Sequence, residues 1–227
     1  MEEPISQSVQ DYLKSIYDLT RTARRASTSQ IASAMGVRPA SVTGMIQKMT
    51  RGETPLLDYH KHQGVRLTAH GEKLALQVIR HHRLLETYLH DTLGYGWDAV
   101  HDEACRLEHV ISEKFEQRID QALGSPTFDP HGDPIPDRDL VMPVHATTSL
   151  ENMTVGQQAT IRRVPNSDPL LLRYLAEHHL VPGEKVSLLA HSPFDGNLSL
   201  QIDQQAETVV LGPLVAGQIL VELIPNG

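Results

Sequence analysis

At 227 residues the chain is too long for one minimal domain and suits two or three small ones. Hydrophobic residues make up 40% but aromatics only 4%, so the cores must be aliphatic; a single cysteine excludes an internal disulfide, and no apolar run approaches the roughly 20 residues that span a bilayer. The net charge of -8 argues against nucleic acid only until its spread is read: residues 1–80 hold 11 lysines and arginines against 7 acids, net +4, and the remainder holds 9 against 21, net -12. A mildly basic front end on an acidic back end suits a DNA-binding domain joined to something else. The polar, acidic start MEEPISQSVQ is unlike a signal peptide, and a cytoplasmic location is expected.

In chain order, residues 6–19 place Val9, Leu13, Ile16 and Tyr17 at helical spacing. Ser27 or Thr28 can cap a second short helix, SQIASAM, which Gly36 ends. Pro39 can open a third, which buries Val42, Met45, Ile46 and Met49. Two short helices across a tight glycine turn are the helix-turn-helix pattern. LLDYH and VRLT around KHQG then read as a small hairpin, completing a winged helix-turn-helix. Long helical patterns follow over 69–92 and 97–123. Residues 124–143, with five prolines, read as a linker. From about residue 150, short alternating runs with turn signals between them, and one helix DPLLLRYLAEHH, read as a small five-stranded SH3-like barrel. The fold class expected is mainly α with a small β domain. The domains expected are 1–72 for DNA binding, 73–143 for a helical metal-binding and dimerisation domain with its Pro-rich linker, and 144–227 for the barrel.

On the helix expected at 97–123, His101, Cys105, Glu108 and His109 fall within an arc of about 100°. His82 and Glu86 share a face of the preceding helix. Thiolate and imidazole beside carboxylates suit a first-row divalent ion better than calcium or magnesium. A solvated helix face in a chain with 13 histidines would produce the same spacing. Of the other histidines, His60, His70, His81, His90, His131, His145, His178, His179 and His191, most read as surface or helix-end residues.

The string VHDEACRLEHVISEKFEQRI, with IRHHRLLE before it and SPTFDPHGDPIP after it, closely resembles the diphtheria-toxin-repressor and manganese-transport-regulator family, and the resemblance covers nearly the whole chain. It implies a homodimer that binds double-stranded DNA at an inverted-repeat operator, represses when metal is bound, and carries a FeoA-type barrel. It also implies a primary metal site at Asp11, Cys105, Glu108 and His109, and an ancillary site at His82, Glu86 and His101. Asp168 falls on a position where the barrel adds a ligand; the partner position is Leu171, which cannot ligate. Iron-sensing relatives carry Met and Cys at the positions of Asp11 and Cys105, and manganese-sensing relatives carry Asp and Glu. This chain has the mixed set, and Lys14 where the manganese group often has an acid. The hard carboxylate favours Mn2+, with Fe2+ the alternative and other first-row divalent ions able to substitute.

The recognition helix is expected at Pro39–Arg51. Arg38, Ser41 and Thr43 would reach base edges, Gln47, Lys48 and Arg51 the backbone, and the wing tip Lys61 and His62 a flanking phosphate or the minor groove. The apolar faces of the two long helices (Leu84, Leu85, Tyr88, Leu89, Val110, Ile111, Phe115) are expected to form the dimer contact. A metal-dependent hydrolase would leave the helix-turn-helix idle and lacks a nucleophile motif. A peptide-binding adaptor needs more aromatics than the barrel's Tyr174 and Phe194. Neither an enzyme nor a membrane protein is expected.

Overall fold

A computed structural model describes residues 5–144, 146–166, 168–203 and 208–225. His145, named above among the other histidines, lies outside the described residues. The chain forms two compact units. One comprises Met1–His82, Leu107–Glu113 and Pro136–Val141; the other comprises Arg83–Arg106, Lys114–Ile135 and Met142–Gly227.

The first unit begins with α1 (Gln7–Thr22), α2 (Thr28–Met35) and α3 (Pro39–Met49). On α1, Val9, Tyr12, Leu13 and Ile16 make one apolar stripe, and all four are buried. Ser27 and Gln30 form a reciprocal capping box at the start of α2, and Gly36, left-handed at φ +63°, ends it. Pro39 opens α3, where its missing N–H costs nothing. Val42, Ile46 and Met49 of α3 join Ile31 of α2 and the α1 stripe in one core. Met45, expected in that core, is only partly buried against it. The wing follows as β1 (Leu57–His60) antiparallel to β2 (Gly64–Leu67), with Tyr59 opposite Val65. Gly64, at φ +93°, could carry no side chain, because a Cβ there would lie 2.3 Å from the carbonyl oxygen of Ala26. That close approach lets Ala26 and Val65 exchange backbone hydrogen bonds of 2.8 and 2.9 Å, fastening the wing beside α2. Arg25 strengthens the joint by donating to the Asp58 and Gly64 carbonyls and to the Asp58 carboxylate.

The helix α4 (Ala69–Asp91) is buried on nearly every side from Ala75 to Leu89. The single helix expected over 97–123 is instead two, α5 (Val100–Leu107) and α6 (Glu113–Ala122). Glu108, His109 and Val110 form a turn between them. The break falls at Val110, Ile111 and Ser112, two β-branched residues and a serine, which are weak helix formers. Leu84, Leu85 and Leu89, expected at a dimer face, are already buried within the single chain, whereas Val110 and Phe115 are exposed.

The Pro-rich stretch is no linker. In the second unit Asp129, His131, Asp133 and Ile135 are buried, and Phe128 and Pro134 form an isolated antiparallel bridge. Arg83 donates to the Pro134 carbonyl. Composition misleads here because proline removes N–H donors while leaving carbonyls that buried arginines can satisfy. Gly132, at φ +87°, lies so close to β4 (Gln158–Arg163) that a Cβ would meet the Arg162 carbonyl oxygen at 1.8 Å.

The C-terminal part builds a six-stranded antiparallel sheet from β3 (Thr148–Ser149), β4, β5 (Lys185–His191), β6 (Leu198–Ile202), β7 (Thr208–Leu211) and β8 (Leu220–Ile224), in the order β3-β8-β4-β5-β6-β7. Register shifts interrupt the β4–β8 and β5–β6 ladders. Inward residues such as Ile161, Val186, Leu200 and Val221 pack with Leu172 and Leu175 of α7 (Pro169–Glu177) and Ala216 of α8 (Pro213–Ala216). Among the described residues no helix is long and apolar enough to cross a membrane.

Candidate metal centre and DNA-binding surface

In the first unit Asp11, Glu108 and His109 come together. One ligand atom from each lies within 4.8 Å of the others. His109 Nε2 is 3.0 Å from Asp11 Oδ1 and 3.3 Å from Glu108 Oε1. On its other side, His109 Nδ1 is 2.6 Å from Gln10 Oε1. An amide oxygen only accepts, so Nδ1 carries a proton and donates to Gln10, and Nε2 faces two carboxylate oxygens. Three acceptors facing one another call for a cation between them, either a proton on Nε2 or a metal ion. The set of two carboxylate oxygens and one imidazole nitrogen suits a first-row divalent ion. The outer N–H of a ligating histidine held by an acceptor is also the usual arrangement at such sites.

Glu108 is only 1% exposed. Lys14 Nζ donates to both its oxygens, at 2.7 and 2.9 Å, and His82 Nδ1 lies 2.5 Å from Oε2. Burial alone would raise its pKa, but the hydrogen bond and charge of His82, followed by the Lys14 ammonium, outweigh burial and hold it below the ordinary carboxylate range. Glu108 is therefore an anion at neutral pH. His82, expected at the ancillary site, contacts Glu108 through its Nδ1.

Three profiles of known families match the chain. An iron-dependent repressor N-terminal DNA-binding domain matches residues 5–65, an iron-dependent repressor metal-binding and dimerisation domain matches 68–137, and a FeoA domain matches 148–223. The chain is 33% identical to the iron-dependent repressor IdeR of Mycobacterium leprae over 169 residues, which is 74% of this chain and 71% of that one. This chain belongs to the diphtheria-toxin-repressor and manganese-transport-regulator family of metal-dependent transcriptional regulators. Two solved structures of the family resemble it over nearly their whole length. A manganese-dependent transcriptional repressor in complex with manganese is 39% identical with TM-score 0.87, covering 95% of this chain and 100% of that one. The manganese regulator SloR is 34% identical with TM-score 0.77, covering 95% and 98%.

Four further residues that the sequence resemblance implies as ligands, Glu86, His101, Cys105 and Asp168, lie in the second unit. Cys105 is half-buried, with its sulfur 3.7 Å from His101 Nε2. His101 Nδ1 is 3.0 Å from Glu86 Oε1. Asp168 is exposed, and its carboxylate caps α7 by accepting from the Leu170 and Leu171 N–H groups. Two donors absent from the sequence reading stand beside Glu86 instead: Glu86, Asp129 and His131 each place one ligand atom within 4.8 Å of the others, and all three are buried. His131 Nε2 donates to the Trp97 carbonyl at 2.8 Å, and its ring stacks on Trp97. That leaves Nδ1 as the lone-pair nitrogen, 4.0 Å from Glu86 Oε2 and accepting no hydrogen bond among the described residues. Burial lowers the His131 pKa against the pull of Glu86 and the Trp97 bond, which favours the neutral ring that a metal needs. Burial, then Asp133 and Glu86, push Asp129 well above the ordinary carboxylate range. A positive charge placed there would relieve that crowding. The readable signal was DPHGD itself, three potential ligands packed among the prolines. Gln10 was missed as well, since an orienting amide carries no spacing rule.

All eight residues proposed for DNA contact are exposed: Arg38, Ser41, Thr43, Gln47, Lys48 and Arg51 on and around α3, and Lys61 and His62 in the turn between β1 and β2. The Thr43 hydroxyl donates to the Pro39 carbonyl at 3.1 Å. Arg38 occupies the N-cap of α3, at the end that meets bases in this class of domain.

Proposed function

We propose that this chain is a manganese-responsive repressor, with Fe2+ the alternative ion, which acts in the cytoplasm as a homodimer on an inverted-repeat operator and turns down metal-uptake genes. The observation that carries this reading is the meeting of Asp11, from α1 of the DNA-binding part, with Glu108 and His109 from the turn after α5. These three would hold the ion, with Cys105, three positions before Glu108 in the chain, as the further donor that the family resemblance implies. When bound, the ion supplies a divalent positive centre shared by α1 and the turn.

Asp11 ties that centre to the helix whose buried stripe forms one core with α2 and α3. Gln10, the next residue back on α1, orients His109, so a single helical turn of α1 both ligates and aligns. Anchoring α1 restricts the orientation of α3, and two recognition helices of fixed spacing can enter successive major grooves. The linkage is reciprocal: DNA must tighten metal binding by the factor by which metal tightens DNA binding. Glu86, Asp129 and His131, with His101, form the proposed ancillary site. Two carboxylates with one imidazole favour manganese at the primary group, and the Cys105 thiolate is what keeps iron in contention.

The test is operator binding followed by fluorescence anisotropy, with Mn2+, Fe2+, Co2+ and Zn2+ each buffered at the same free concentration. Binding that tightens with manganese and is lost with EDTA is expected. Equal operator affinity with and without every metal would overturn the reading.

A further inference from the structure

We propose that Lys14 is an internal competitor for the Glu108 carboxylate, and that it sets the metal concentration at which the site loads. The inference rests on the reading of Glu108 as a metal ligand. Lys14 lies one helical turn beyond Asp11 on α1, so its ammonium reaches the same carboxylate that Asp11 and His109 face. Nζ donates to both Glu108 oxygens and is 3.5 Å from His82 Nδ1. Glu108 is almost completely buried, while Lys14 is 21% exposed. The lysine can therefore swing to water, and the glutamate cannot leave.

A divalent ion taking either Glu108 oxygen would meet a positive charge within hydrogen-bond reach of that oxygen. It must displace the ammonium or share the anion with it, and both weaken binding. A neutral residue at this position would give a site that fills at lower metal.

The proposal predicts opposite movements in two measurements. Lys14→Gln, which keeps a hydrogen-bond donor but loses the charge, should bind Mn2+ about tenfold more tightly, the scale of a partly exposed charge interaction. The same variant should melt at a lower temperature in EDTA, because Glu108 loses a counter-charge. Lys14→Arg, which keeps the charge, should restore the weaker wild-type affinity. On the wild-type protein, acetylation of Lys14 read by mass spectrometry should rise when saturating Mn2+ is added. A Lys14→Gln protein that binds Mn2+ no more tightly than wild type, or Lys14 acetylation unmoved by manganese, overturns the proposal. Glu108→Gln separates the two levels: if it binds Mn2+ like wild type, the assignment of the site fails, and if it loses Mn2+ while Lys14→Gln is unchanged, only the role of Lys14 fails.

Discussion

Replacing His109 with alanine tests the site at the point where three interactions converge. The imidazole bonds Gln10 through Nδ1 and faces Asp11 and Glu108 through Nε2. It is 5% exposed, so water cannot readily replace it. Losing the Gln10 hydrogen bond at about 0.5–1.5 kcal/mol lowers stability by roughly that amount. For a chain of this length that is a fall in Tm of roughly 1–6 °C, measured in EDTA. The effect on metal is larger. Removing an outer partner of a ligand commonly costs about 10- to 100-fold in affinity, so removing the ligand itself should cost about 100-fold or more. Gln10→Leu, which removes only the outer bond, should fall within the 10- to 100-fold range by the same rule. Calorimetric titration with Mn2+ and anisotropy with operator duplex read both variants. A His109→Ala protein that loads manganese at wild-type affinity, or binds operator as tightly at equal free metal, would refute the reasoning.

Asp11→Met exchanges a hard oxygen for a thioether and should weaken the manganese response more than the cobalt or iron response; parallel titrations with the metals check it. Asp129→Asn should reduce the manganese bound per protomer by one while leaving the Asp11 group loaded, as counted by native mass spectrometry. Lys61→Ala should weaken DNA binding alike across sequences and lower the slope of log affinity against log salt by about 0.9, the signature of one phosphate contact. Asp58 is held below its ordinary pKa of 3.8, first by the Arg66 hydrogen bond, against burial, and then by Arg25. Its contribution is therefore present above pH 3.8 and lost as pH falls through the lower folded value. Asp58→Asn should melt below wild type at pH 7, and the gap should close as the pH drops beneath that range.

The helix-turn-helix was legible because its signals are local. Ser27 with Gln30, Gly36 and Pro39 each act within one turn of backbone, and each does in the structure what its chemistry dictates. Bringing Asp11 to Glu108 and His109 was not local, and only the family resemblance pointed to it; helical periodicity had put Glu108 and His109 on a straight helix, whereas the chain turns there. His131 was missed for a different reason. A histidine flanked by prolines and glycine has the composition of a loop, and its burial depends on the approach to β4 that Gly132 permits. Asp168 also has a local role, since its carboxylate accepts from the first N–H groups of α7.

That approach of the Pro-rich segment to β4 bears on how the chain can be shortened. Val164 N–H bonds the His131 carbonyl at 2.9 Å, and Arg163 reaches the buried Asp133 carboxylate at 2.7 Å. Both donors belong to the C-terminal sheet region, so cutting the chain before it would remove a neutralising guanidinium from a pair of buried acids and a backbone bond from the histidine beside them. The sheet region is thus not an appendage that can be trimmed to leave an intact smaller regulator; a truncated protein would carry an acidic wound at the place where Glu86, Asp129 and His131 meet.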